Sequence, residues 1–210
     1  MCASYDLDPR FGDYKDFARA NDREMMQNLR SWAETNAGET LRPTGKNLRN
    51  LNPIIRQTTD GPSIEAAWWG YLVGGQPSKF PSINTRSERL QQKPGAMEGR
   101  AIVPATSWLE MQKPSRDWYR FSLGGRELFG MAAVTQRGFP AGGDEVTCYS
   151  IVMHPARDDL AELHDRMPLL IPGAFAEEWL AGEASRELID AALDAGHEVA
   201  ERVSATAEPR

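Results

Sequence analysis

Trp118-Tyr119-Arg120-Phe121-Ser122-Leu123, then Gly124-Gly125, then Arg126 through Ala132 is the stretch on which the reading of the fold turns. Apolar and aromatic residues flank two glycines. Glycine takes the positive φ angles of a tight two-residue turn at little steric cost, so residues 118–132 read as a β-hairpin. Working outward, further strand candidates crowd the same region: Asn52 to Gln57, Glu65 to Val73, Ala101 to Gln112 and Val146 to Met153. Helical spacing lies on either side of this block. Residues 13–37 bring Met25, Leu29 and Trp32 to one face, with Gly38 as a stop. Towards the end, Pro155 reads as a helix start ahead of Leu160 and Leu163, and Pro172 as another ahead of Phe175 and Trp179. Ser185 reads as the cap of a third helix carrying Leu188, Ile189, Ala192 and Leu193 to a stop at Gly196. Strands in one block, not alternating with helices, predict an α+β fold. Residues 1–200 read as a single domain and 201–210 as a flexible C-terminal tail.

Composition narrows the function classes. The chain has 210 residues, 40% apolar and 26% charged, which is a globular mixture. No apolar run approaches the roughly 20 residues needed to cross a bilayer as a helix, so no membrane association is expected. Met1-Cys2-Ala3-Ser4-Tyr5-Asp6 lacks the basic start and apolar stretch of a leader, and two cysteines suit a reducing compartment, so the expected location is cytoplasmic. A net charge of −6 argues against a generally basic nucleic-acid binder but leaves room for a local cleft. There is no phosphate-binding glycine loop, zinc-ligand spacing or serine elbow, and His154, His164 and His197 lie apart. Neither a metal nor a cofactor is therefore expected. A monomer is the plain expectation for oligomeric state.

Cys2 is the position with chemistry to offer. Loss of Met1 would leave an α-amine and a thiol on adjacent carbons. An α-amine with a pKa of about 8 is substantially neutral near pH 7 and nucleophilic. A 1,2-aminothiol captures aldehydes: the amine forms an imine and the thiol closes onto the same carbon as a five-membered thiazolidine. The same group also suits an N-terminal nucleophile acting on amides, and a small residue at position 2 by accident is the bland alternative.

Other segments weigh on that choice. Trp68-Trp69-Gly70 is followed by Ile83-Asn84-Thr85-Arg86-Ser87-Glu88, then Arg100 to Ala105 leading into Trp108-Leu109-Glu110, then His164-Asp165-Arg166-Met167-Pro168. In this order, from residue 2 to roughly 180, the chain resembles the SOS-response-associated peptidase (SRAP) family, whose members start Met-Cys and cross-link to abasic sites in single-stranded DNA. The resemblance implies a mixed or antiparallel β-barrel-like core flanked by helices. It implies Cys2 as nucleophile, Asn84 as the group orienting its amine, Glu110 as acid/base, and His164 as the residue that opens the sugar ring. It further implies DNA contacts from Arg86, Arg166, Pro43, Thr44, Trp69 and Trp108, with abasic single-stranded DNA as partner. As the family name suggests, the site would also cleave its own Met1–Cys2 bond, although ordinary removal of Met1 would serve equally, and β-elimination from the imine would give a lyase-like reaction unless the thiol traps the imine first. The chemistry favours these residue types independently. A closed hemiacetal needs one proton delivered and one removed before an amine can attack its carbonyl, and an arginine fork binds phosphate without reading bases.

Blander readings stand beside these. Glu110 also fits the solvent face of an alternating strand, His164 a surface or capping role, and Arg86 and Arg166 ion pairs with Glu88 and Asp165. Of Trp68 and Trp69, which point to opposite faces, one is expected in the core. Cys148 reads as a buried small hydrophobe. The sequence also departs from the family: Ala3 and Ser4 replace Gly and Arg, Thr40 an Asn, Met111 a tryptophan and Met153 a threonine. Tyr71 to Gly75 replaces the family's usual proline and tryptophan after Trp69-Gly70. These changes predict retained aldehyde chemistry with weaker strand binding. The competing functions are a Cys2-dependent peptidase or amidase and a non-catalytic single-strand binder of the same fold.

Overall fold

The structure is a computed structural model and describes residues 2, 4–12, 22–37, 40–43, 50–77 and 82–209. In chain order its elements are β1 (Ser4–Asp6), α1 (Asp22–Thr35), β2 (Leu51–Thr58), β3 (Gly61–Trp69), β4 (Leu72–Val73), β5 (Gln76–Pro77), β6 (Asn84–Arg86) and α2 (Ser87–Gln92). They continue with β7 (Arg100–Ala105), β8 (Ser107–Met111), β9 (Trp118–Ser122), β10 (Phe129–Gly138), β11 (Val146–Pro155), α3 (Asp158–Ala161), β12 (Arg166–Pro168) and β13 (Leu170–Ile171). The last are α4 (Ala176–Ala181), α5 (Arg186–Glu201) and β14 (Ser204–Ala207). Short 3-10 turns occupy Pro94–Met97 and Gly173–Phe175.

Five strands close on themselves in the order β11-β3-β2-β7-β10 and back to β11. The β11–β3 pairing is parallel and the other four are antiparallel, so the barrel is mixed. Successive side chains along a strand point to opposite faces, and a closed barrel turns that alternation into an inside and an outside. Ile54, Ala67, Trp69, Ala101, Val103, Met131, Ala133, Tyr149 and Ile151 form the inner cluster. Their chain neighbours Ile55, Ile102, Ala132, Val134 and Val152 form the outer one, roofed by Leu90 of α2, Trp179 and Leu180 of α4 and Ile189 of α5. A second sheet, ordered β1-β8-β9-β14, shares residues with the inner cluster, including Tyr5, Trp108 and Phe121. A residue outside a closed barrel reaches its interior only through an end, so this sheet covers one mouth.

The α+β class and barrel-like core expected from the sequence are present, but several local expectations are corrected. Gly124 and Gly125 do take positive φ, 88° and 55°, yet the strands they join do not pair. β9 pairs with β8 and β14, while β10 pairs with β7, β11 and β13. Two tight hairpins lie elsewhere: β2–β3, whose register runs out to Thr58 opposite Gly61, the latter at φ 114°, and β4–β5, with Val73 opposite Gln76 across Gly74-Gly75. The run expected as one strand, 101–112, breaks at Thr106, so β7 serves the barrel and β8 the second sheet. Thr106 is held there by its N–H donating to the Asp6 carbonyl (2.8 Å) and by the Asp8 N–H donating to its hydroxyl (3.0 Å). Pro155 ends β11 instead of opening a helix, and α3 starts at Asp158.

Helix α1 carries the expected face, with Met25 and Leu29 buried and Trp32 half-buried; the first part of the 13–37 expectation, 13–21, and Gly38 lie outside the described residues. Ser185 caps α5 as anticipated, its hydroxyl accepting from the Leu188 N–H at 3.1 Å. The helix does not stop at Gly196. A Cβ there would lie 2.5 Å from the Leu170 carbonyl oxygen, so glycine lets α5 pack closely against β13. Within the expected tail, Ser204–Ala207 pair with β9 as β14.

Candidate functional site

Four segments converge at the covered end of the barrel. Cys2 stands just before β1, which pairs with β8 through Ser4 opposite Leu109. Its side chain is buried with the inner cluster, and its thiol donates weakly to the Ser4 carbonyl at 3.7 Å. Asn84 opens β6, held parallel to β11 opposite Ile151. Its Nδ2 donates to the Cys2 carbonyl at 2.8 Å, while its buried Oδ1 has no hydrogen bond among the described residues. Glu110 lies on β8, where the first four residues are all buried. It is 3% exposed, so the solvent-face alternative is excluded. His164 follows α3, and its Nε2 stands 3.8 Å from Glu110 Oε2.

Burial sets the electrostatics. Desolvation pushes the Glu110 carboxyl up to about 7, with the nearby Asp165 adding to the rise. The same two effects, burial first and the Glu110 charge second, push the Cys2 thiol well above its usual range. One negative charge is thus tolerated more readily in this pocket than two. Burial lowers the affinity of His164 for a proton, so its imidazole is neutral near pH 7. Its Nδ1 lies 2.9 Å from the Arg166 carbonyl and 3.2 Å from the Arg166 N–H. A proton on Nδ1 would donate to the carbonyl and leave the Nε2 lone pair towards Glu110; without it, Nδ1 accepts from the Arg166 N–H.

A buried polar network lies in the same cluster. The Tyr5 and Tyr149 hydroxyls are 2.9 Å apart, and Asn52 Nδ2 donates to Tyr149 Oη at 3.1 Å. These three are polar groups of the interior that reading the sequence did not single out. The one available signal was Tyr5 following Cys2, because strand parity alone does not tell inside from outside.

The residues expected to touch DNA are divided by the structure. Arg86 is exposed at the end of β6. Arg166 is largely buried and ion-paired with Glu88 at 2.7 Å, which realises the ion-pair alternative. Pro43 is buried, and Thr44 lies outside the described residues. The two tryptophans are corrected, being 1% and 0% exposed for Trp69 and Trp108, with no face open to a base. Trp69 Nε1 donates to the Ile83 carbonyl at 3.0 Å and its ring stacks with Tyr149. Trp108 stacks on Phe121 with centroids 5.2 Å apart. Trp68 is half-buried and Trp118 exposed, so those indoles do reach the surface. Ser4, standing where the family has arginine, is buried in β1. Among the described residues no group of three His, Cys, Asp or Glu side chains could hold a metal ion, and no helix is long and apolar enough to cross a membrane.

A mixed barrel covered at one mouth by a second sheet and flanked by helices is the class that the fold defines. The family described as SOS response associated peptidase (SRAP) matches residues 1–206, and the chain belongs to it. Among curated relatives it is similar to the abasic site processing protein YedK of Escherichia coli (strain K12), at 33% identity over 129 residues, 58% of this chain and 57% of that protein. It is also similar to the abasic site processing protein YoqW of Bacillus subtilis (strain 168), at 29% identity over 109 residues, 48% of each. The chain spans about half the length of the curated relatives it matches. Two solved structures share the fold along the whole chain. A Bacteroides thetaiotaomicron protein gives a TM-score of 0.69 at 17% identity, covering 100% of this chain and 93% of that one. A Bordetella bronchiseptica protein gives 0.65 at 20% identity, covering 100% of both.

Proposed function

We propose that the protein processes abasic sites in single-stranded DNA by joining Cys2, after loss of Met1, to the ring-opened sugar as a thiazolidine. The observation that carries this reading is the Cys2–Asn84–Glu110–His164 constellation, with the asparagine bound to the Cys2 backbone and a carboxyl that titrates at about 7. The names of the relatives, abasic site processing proteins, supply the substrate class.

The residues suit the steps in turn. Neutral His164 takes the proton of the anomeric hydroxyl through Nε2 as protonated Glu110 supplies one to the ring oxygen, and the sugar opens to its aldehyde. Asn84 Oδ1 accepts from the freed α-amine and aims its lone pair at the carbonyl carbon. Amine addition gives a carbinolamine. Its hydroxyl leaves as water with the proton of the His164 imidazolium, the nitrogen gives its remaining proton to the freed imidazole, and the imine forms. The thiol then passes its proton to the Glu110 carboxylate, and sulfur bonds to the imine carbon. The C=N electron pair moves to nitrogen, which takes a proton back. The sum is aldehyde plus aminothiol giving thiazolidine plus water. Because sulfur and carboxylate exchange one proton, the pocket holds no more than one negative charge in the closing step.

Exposed Arg86, with Arg166, supplies phosphate contacts to the strand. Loss of Met1 by this site itself, and strand scission from the imine before the thiol closes, belong to the same proposal. The test is a single-stranded oligonucleotide carrying one abasic site, run on a denaturing gel. A covalent band with the wild-type protein that vanishes in Cys2→Ala is expected. A wild-type protein lacking Met1 by intact mass that gives no band would overturn the reading. Binding without a band would favour the non-catalytic alternative.

A further inference from the structure

Two of the four segments that build the site are tied together by a group with no part in the steps above. β6 leads directly into α2, so Asn84 and Glu88 ride on one continuous piece of chain. His164 and Arg166 ride on another, the loop entering β12. Both oxygens of Glu88 accept from Arg166 Nη1, at 2.7 and 2.9 Å, and this joins the two pieces. Arg166 is also the residue whose backbone holds His164 Nδ1. Other bonds hold that loop elsewhere: the His164 N–H donates to the Leu160 carbonyl, the Ala156 N–H to the Asp165 carbonyl and Gln112 Nε2 to the Glu162 carbonyl, all at 3.0 Å, and Arg166 pairs with Pro155 in the β11–β12 ladder. Those contacts fix the loop against α3, β11 and the end of β8. Among these contacts, only the Glu88 pair ties it to the segment that carries Asn84.

We infer that Glu88 is a positioning residue which fixes His164 through the Arg166 backbone and, by the same bond, competes with the DNA phosphate for the Arg166 guanidinium. The inference rests on the roles proposed above for His164 and Arg166. It accounts for Glu88 sitting four residues after Asn84 and for Arg166 sitting two after His164: each segment carries one reacting group and one half of the clamp. Glu88 has 41% of its side chain exposed and Arg166 18%, so a phosphate approaching from solvent meets the carboxylate as well as the guanidinium. Burial works against ionisation of Glu88, yet its own backbone N–H and Arg166 outweigh this and hold the carboxyl below the usual range, leaving the competitor charged at neutral pH. Removing the carboxylate therefore has two effects of opposite sign. The guanidinium becomes a stronger phosphate ligand, while the imidazole loses its fixed distance from the sugar.

The test compares wild type with Glu88→Gln and Glu88→Ala, full length, in three measurements. Binding to a plain single-stranded oligonucleotide is expected to tighten, with the log–log salt dependence steeper by about 0.7, the value of one extra phosphate contact on a single strand. The cross-linking rate at saturating abasic oligonucleotide is expected to fall about tenfold in Glu88→Ala, because small displacements of an aligned proton carrier are costly. Nitrogen NMR of His164 is expected to report Nδ1–H in wild type and a tautomer mixture in Glu88→Ala. The inference is overturned if binding and saturated rate fall together, or if rate and His164 signals stay at wild-type values. Should wild type form no Cys2-dependent band, the proposed function fails by itself, and the salt slope and His164 signals still decide the role of Glu88.

Discussion

The inner and outer faces of the barrel are cut from the same strands, residue by alternate residue, and they hold different kinds of group. Outside, Ile55, Ile102, Ala132, Val134 and Val152 meet Trp179, Leu180 and Ile189 of the covering helices in an apolar layer. Inside, Cys2, Tyr5 and Tyr149 sit among the aliphatics, and Asn52 bonds into the same space. A polar group in a dry interior costs free energy unless it is satisfied, and an ionisable one shifts its pKa. The outer face follows that rule by satisfying the polar groups it does bury, Arg100 with the Met97, Trp179 and Gly182 carbonyls and Ser150 with the Thr85 hydroxyl. The inner face meets it by pairing Tyr5 with Tyr149 and by letting Glu110 titrate at about 7. Stability and chemistry are thereby assigned to opposite sides of one sheet.

Substitutions on the two sides should separate accordingly. Cys2→Ala has the largest effect, complete loss of the covalent DNA band while the thermal transition stays cooperative. Glu110→Gln comes next, slowing cross-linking roughly 100-fold, the scale of a lost general acid/base. It should also change stability against pH in a definite direction. The folded carboxyl titrates at about 7, above its ordinary value, so the stabilising contribution of the protonated form is complete below about 4.3. That contribution is lost as pH rises through about 7, and amounts to roughly 3 kcal/mol. Denaturant melts at pH 5 and pH 8 should show this loss in wild type and not in Glu110→Gln. A Glu110→Gln protein that keeps the wild-type pH dependence would show the inner face to be no more than a core.

On the outer side, Ile102→Ala should cost about 2–5 kcal/mol by leaving a cavity under α4 and α5. Its cross-linking rate, measured well below the melting temperature, should stay within about twofold of wild type. A rate that fell with stability would break the division between the faces. Ser185→Ala is the smallest expected change, about 1 kcal/mol from the lost cap of α5, visible in a melt and absent from the gel assay.

How much of this was legible in the sequence depended on whether a feature is local. Ser185 and the α1 face were readable because a cap and a 3.6-residue period act within a few residues. The α+β class was readable from strands falling in one block. The Gly124-Gly125 hairpin was misread although both glycines do turn the chain: a turn dictates that the chain bends, and partners 80 residues away decide what it pairs with, as when Ser122 meets Ser204. Gly196 was read as a stop because the Leu170 carbonyl that explains it comes from a distant strand. Residues 204–207, small and polar, look like a tail until β9 gives their backbone an edge to pair with. At the site, Cys2, Asn84, Glu110 and His164 were chosen from ordered resemblance, since they come from segments up to 162 residues apart that no local period connects. The same resemblance implies Trp69 and Trp108 as contacts, but a barrel covered at its mouth buries indoles that an open sheet would leave to a ligand.

The pairing of Ser4 with Leu109 bears on when Cys2 is seated. Residues 2–6 are made before the strand that holds them, which follows about a hundred residues later. At about 5–20 residues per second, that is an interval of roughly 5–20 s. During it the backbone around Cys2 has no β8 to pair with, and Asn84 and Glu110 have yet to close over it. Removal of Met1 by another enzyme during synthesis would precede the pocket, whereas removal by the site itself would have to wait for β8.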